Sequence, residues 1–92
     1  MLRFEWDLEK SNLNYSKHSI SFSEACSIFS DPLEVTISDP EHSEGEYRFL
    51  SIGKSSIGNL LVVSYTERED NLVRIISARK ATRQEQKAYE QS

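Results

Sequence analysis

Residues 60–79, LLVVSYTEREDNLVRIISAR, constrain the fold more than any other stretch of this chain. LLVVSYTE is rich in branched aliphatic residues and apolar enough for a central strand. REDN turns the chain back, and LVRIISAR alternates again as the returning strand. YRFLSIG precedes them as a further strand, joined through KSSIGN, where Gly58 and Asn59 tolerate positive φ. Three strands joined by short turns predict an antiparallel meander, whose apolar face must be covered.

The N-terminal half supplies the cover. LRFEW alternates with period two as a short strand. Asp7 is placed to cap a helix over about Leu8–Lys17, with Leu8, Asn12 and Tyr15 on one face. In SFSEACSIF, Ser21 and Glu24 have capping-box spacing, and Phe22, Ala25, Cys26 and Phe29 form an apolar stripe. Pro32 stops this helix by forcing Asp31 out of the helical region. LEVTIS reads as a strand and DPEHSEGE as a polar loop. Thr82 and Glu85 repeat the capping-box spacing, so a helix starts near Arg83; short and polar, it needs a docking surface to persist. The expected fold is α+β, with helices on one face of a twisted antiparallel sheet: two N-terminal and a short C-terminal one.

At 92 residues and 37% hydrophobic content, the chain has material for one modest core, so residues 1–92 are expected to form a single domain. The lone Cys26 excludes an intrachain disulfide and fits a reducing compartment. The first ten residues lack the apolar run of a signal peptide, and LLVV is too short to span a bilayer. A cytoplasmic chain with no membrane contact is expected. Charge is uneven. Residues 1–46 carry three Lys/Arg against ten Asp/Glu, a net of −7, and residues 47–92 carry eight against five, a net of +3. An acidic chain is a poor non-specific nucleic-acid binder, but a local cationic face still engages phosphate.

Several chemistries find no support. His18, His42 and Cys26 lack zinc spacing, the acidic loop is not an EF-hand, and the scattered glycines make no phosphate loop. No metal or cofactor is expected. What remains are cations on the sheet: Arg48, Lys54, Arg68, Arg74, Arg79 and Lys80. Strict alternation puts Arg74 with Leu72, Ile76 and Ala78, and Arg79 with Val73, Ile75 and Ser77. Guanidinium forks match phosphate, and RNA cleavage by the 2′-hydroxyl needs an acid, a base and cations facing the developing charge. For Arg48 and Arg74, each taken alone, a solvated face or pairing with Glu67 or Glu69 fits better than catalysis. His18 fits a helix C-terminal dipole partner as well as a functional group. Arg79 and Lys80, between a strand end and a helix N-terminus, favour an anion site.

The ordered set KH-x-x-SF-x-EA, IG-x-S, YTER and RIISAR-x-A, spread over nearly the whole chain, resembles the BrnT family of type II toxins. The resemblance implies a RelE-like fold and a ribonuclease that blocks translation. It implies a BrnA antitoxin with a ribbon-helix-helix part, and DNA contact only through the toxin–antitoxin complex. It carries Arg79, Arg68, Glu67 and His18 over as candidate catalytic residues, and Lys17, Arg48, Lys54 and Lys80 as RNA-binding ones. The family has glycine after KH where this chain has Ser19, so the first helix is expected to end at some cost. The leading expectation is a metal-independent endoribonuclease acting on RNA, free or on the ribosome. The alternative is a non-catalytic antitoxin-binding module, a degenerate toxin.

Overall fold

A computed structural model describes residues 1–38 and 47–92; the expected DPEHSEGE loop, with His42, lies outside the described residues. The elements are β1 (Arg3–Glu5), α1 (Leu8–His18), α2 (Phe22–Cys26) continued by a 3₁₀ turn (Ser27–Ser30), β2 (Val35–Ser38), β3 (Phe49–Lys54), β4 (Leu60–Glu69), β5 (Leu72–Lys80) and α3 (Arg83–Gln91). The sheet order is β1-β5-β4-β3-β2. Strands β2 to β5 form the expected antiparallel meander, and β1 adds to the β5 edge in parallel, which makes the sheet mixed.

One face of the sheet carries the main core. Leu61, Val63, Tyr65, Val73, Ile75 and Ala78 are buried there against Ile20, Phe22, Ala25 and Ile28. An aromatic chain closes its margin: Phe29 meets Tyr65 edge-on at 5.0 Å, and Phe49 stacks on Tyr65 at 5.6 Å. The 3₁₀ turn lies close on β3 because Gly53 has no side chain; a Cβ there would stand 3.0 Å from the Ile28 Cβ. Helix α3 lies on the opposite sheet face, where its Gln84, Glu85 and Ala88 line an open cavity with Ile37, Leu50, Ile52 and Val62. This differs from the one-sided cover expected, because that face also presents an apolar strip at its Val62 end. Among the described residues, no helix is long and apolar enough to cross a membrane.

Helix α1 is turned differently from its apolar pattern. Leu8 and Tyr15 are 71% and 58% exposed, while Asn14 is buried. The cause is a backbone demand. β1 pairs with β5 only over Leu72–Arg74, leaving the β5 edge beyond it open. The Asn14 amide completes that edge: Nδ2 donates to the Ala78 carbonyl at 2.9 Å and to the Ile20 carbonyl at 3.0 Å, and Oδ1 accepts from the Ala78 N–H at 3.0 Å. Satisfying three buried backbone groups outweighs burying Leu8.

The caps follow the sequence with one change. Asp7 accepts from the Lys10 N–H, and Thr82 with Glu85 forms a complete capping box. Ser21 accepts from the Glu24 N–H, but the Glu24 carboxylate does not return to close the box. It accepts instead from the Ser55 hydroxyl at 2.7 Å and the Asn59 amide at 2.8 Å, pinning the β3–β4 turn. In that turn Gly58 takes positive φ and Asn59 does not; Asn71 does so between β4 and β5.

Ser19 ends α1 in the left-handed conformation, at φ 60° and ψ 26°, its N–H donating to the Tyr15 carbonyl at 2.8 Å. The stop is therefore the one glycine would make, held by a residue that pays for its Cβ. Ser19→Gly is expected to raise stability by about 0.5–1 kcal/mol, the relief being partly offset by greater freedom in the unfolded chain. A urea midpoint unchanged or lowered by the substitution would show that Ser19 is not strained.

Candidate functional site

The site is assembled by a β-bulge. Tyr65 pairs with Ile75 and Ser64 with Ser77, so Ile76 is an extra residue on β5. The bulge resets the alternation. Beyond it Ser77 and Arg79 share the face of Arg74, while Ala78 joins Val73 and Ile75 in the core. Strict alternation puts Arg74 and Arg79 on opposite faces, with Arg74 beside Ala78 and Arg79 beside Val73; the bulge corrects that assignment. Arg74 stands opposite Thr66, Ser77 opposite Ser64, and Arg79 opposite Val62. Arg48, one residue before β3, shares this face by alternation with Leu50. Arg68 reaches it at the irregular end of β4, where its Nε lies 3.8 Å from the Glu5 Oε2.

Among the described residues, Glu5 and Glu85 pair with the arginines of this face. Glu5, opposite Arg74 in the parallel β1–β5 pair, accepts from Arg74 Nη1 at 2.8 Å. So the partner of Arg74 is Glu5, not Glu67 or Glu69, because the unexpected parallel strand delivers it. Glu85 of α3 takes both ends of the Arg79 fork, Nη1 to Oε1 at 2.7 Å and Nη2 to Oε2 at 2.9 Å. It also accepts from the Thr82 N–H at 2.8 Å. The Arg79 hydrogen bonds hold the Glu85 carboxyl down to about 2, and the same contact raises Arg79.

At its other end α3 is tied by the Tyr89 hydroxyl, which donates to Asp31 Oδ2 at 2.6 Å. That bond pushes the Tyr89 phenol up to about 12 and lowers Asp31. The lowered Glu85 and Asp31 fix the sign of the acid response. Both ionised groups stabilise the docked helix above the ordinary carboxylate range, and that contribution is lost as pH falls from about 4.5 toward 2. Stability measured by denaturant across that window is expected to decline less steeply in Glu85→Gln than in the wild type. Parallel curves would mean that the pair contributes nothing.

The other candidates are distributed around this face. Lys54 ends β3 on the same side by alternation, and its N–H donates to Asp31 Oδ2 at 2.8 Å. Lys80, opposite Leu61, is exposed at the end of β5 on the core side. Lys17 and His18, in the last turn of α1, line a shallow depression with Ser77 at the open edge of β5. His18 thus stands at the rim of the arginine face. Glu67 does not join it: opposite Val73, its side chain leaves from the other face of the sheet. Burial pushes the Cys26 thiol up to about 11, so at neutral pH it is not a nucleophile. Among the described residues, no group of three or more His, Cys, Asp or Glu is placed to hold a metal ion.

Sequence reasoning passes over Glu5, Glu85 as a partner of Arg79, and the membership of Arg74. A signal for Glu85 is present, since a capping-box glutamate lies one turn inside a helix that starts beside Arg79. Glu5 has no comparable signal, because nothing local dictates that β1 pairs with β5.

The sequence model for the family described as ribonuclease toxin, BrnT, of type II toxin-antitoxin system matches residues 6–85. A crystal structure of the Brucella abortus ribonuclease toxin, BrnT, superposes with a TM-score of 0.66 at 20% identity. The match covers 90% of this chain and 100% of that one, and at this identity it bears on the fold. No curated protein matches the sequence.

Proposed function

Because this chain belongs to the BrnT family of ribonuclease toxins of type II toxin–antitoxin systems, we propose that it is an endoribonuclease that cleaves RNA without a metal ion. Residues 1–92 act as one toxin domain in the cytoplasm, cleavage inhibits translation, and a BrnA-like antitoxin neutralises it. Any DNA contact runs through that antitoxin. The observation that carries this reading is the gathering of Arg48, Arg68, Arg74 and Arg79 from neighbouring strands onto one sheet face, with Ser64 and Ser77 between them.

Arg79 binds the scissile phosphate and faces the charge that develops as the 2′-hydroxyl attacks. Arg68, with Arg74 beside it, holds the neighbouring phosphate; Arg48, Lys54 and Lys17 steer the strand, and Lys80, on the core side, meets it only where it rounds the end of β5. His18, at the rim beside Ser77, is the group for proton transfer. Glu67, on the far face, has no route to the same phosphate without the RNA rounding the sheet edge.

The test is cleavage of a synthetic RNA by purified protein in excess chelator, with analysis of the new ends. A 2′,3′-cyclic phosphate on the 5′ fragment is the expected product. A 5′-phosphate on the 3′ fragment, or loss of cleavage on chelation, sinks the proposed chemistry. The alternative, a non-catalytic antitoxin-binding module, draws on the carboxylates that already face Arg68, Arg74 and Arg79. It predicts intact RNA, and arginine substitutions that weaken antitoxin binding instead.

A further inference from the structure

We infer that Glu85 is a built-in competitor of RNA at Arg79: its carboxylate closes the guanidinium fork that a phosphate must enter, and RNA binding proceeds by exchange of one anion for the other. This rests on the phosphate role proposed for Arg79 and names how that site is regulated.

The geometry is that of a substitute ligand. Both Nη atoms of Arg79 point at separate oxygens of one planar anion, at 2.7 and 2.9 Å, the arrangement a phosphate would take. Held down to about 2, Glu85 is ionised throughout the physiological range. The pair is also within reach of a ligand. The Arg79 side chain is 40% exposed and that of Glu85 26%, so an incoming anion can approach the fork from solvent. A polyanion that also engages the other arginines of the face can outcompete it.

Nor does opening require α3 to melt. Glu85 keeps its hydrogen bond from the Thr82 N–H, and Thr82 Oγ1 still accepts from the Glu85 N–H. Glutamine at this position fills the same capping role, but it presents an amide N–H₂ to the guanidinium in place of an oxygen. Glu85→Gln therefore opens the fork while leaving the helix start in place. A carboxylate that only positioned Arg79 would give the opposite result, since its loss would weaken RNA binding.

The experiment measures affinity for a 2′-O-methyl single-stranded RNA, which cannot be cleaved through its 2′ position, using wild type, Arg79→Ala, Glu85→Gln and the double variant. Glu85→Gln is expected to bind about three- to tenfold tighter, Arg79→Ala to bind weaker, and the double variant to match Arg79→Ala. No gain in Glu85→Gln, or an equal gain without Arg79, overturns the inference and leaves the phosphate role standing. Unchanged binding in Arg79→Ala removes the phosphate role and this inference with it. A second readout uses the wild type alone: the Glu85 side-chain carboxyl carbon, followed by NMR, is expected to shift as this RNA saturates the protein. A resonance that stays fixed at saturation overturns the exchange, whatever the variants do.

Discussion

Replacing Arg79 by alanine is expected to lower RNA cleavage by about 100- to 1,000-fold, the usual cost of removing one preorganised donor to a developing anion. The expectation follows from position. Arg79 sits at the end of β5, its fork already shaped around a planar anion, with α3 fixing its surroundings. Arg79→Lys keeps the charge and loses the fork, so it should recover only part of the rate. Arg83→Ala, on the exposed first turn of α3, should cleave as the wild type does. Rates are compared on one synthetic RNA at matched protein concentration, with thermal melting to confirm the fold and antitoxin affinity measured alongside. A wild-type rate in Arg79→Ala would take Arg79 out of the site. Weakened antitoxin binding, in a background where the wild type cuts no RNA, would favour the docking-module alternative.

The second large effect is on stability. Asn14→Ala is expected to destabilise the fold by about 3–5 kcal/mol, from three hydrogen bonds lost at a buried position at about 1–3 kcal/mol for each group left unpaired, less some rehydration. The groups are the N–H and carbonyl of Ala78 and the carbonyl of Ile20. Asn14→Asp should do no better, because a carboxylate oxygen would replace the amide N–H₂ that donates to both carbonyls. Asn12→Ala, two residues away and exposed, should stay within about 0.5 kcal/mol of the wild type. Chemical denaturation of the three variants decides it. An Asn14→Ala protein within about 1 kcal/mol of wild type would mean that the open edge of β5 finds other partners, such as water.

The effects differ in how far the sequence announces them. Arg79 is legible as a cation between a strand end and a helix start, and its place in the RIISAR-x-A segment makes it a candidate on sequence grounds. Asn14 is not legible. The apolar spacing of Leu8 and Tyr15 argues for a face that the fold leaves in solvent, and one asparagine in a helix with two reads as diluted polarity. Glu24 and Glu85 show the same split within one motif. Both have capping-box spacing, but Glu85 closes its box and Glu24 leaves to hold the β3–β4 turn. The local rule is alike for both; two side-chain donors from the β3–β4 turn, Ser55 and Asn59, take Glu24 instead.

By itself the sequence determined the elements, their order and the meander, because strand alternation, helix caps and turn residues act over a few neighbouring positions. Its motif order also marked the family. The tertiary structure decided three matters that depend on partners distant in the chain. The parallel pairing of β1 brings Glu5 to Arg74. The open edge beyond that pairing turns Asn14 inward. The bulge at Ile76 shifts the alternation by one residue, and because side chains on a strand change face at every step, that single residue carries Arg79 onto the face of Arg74.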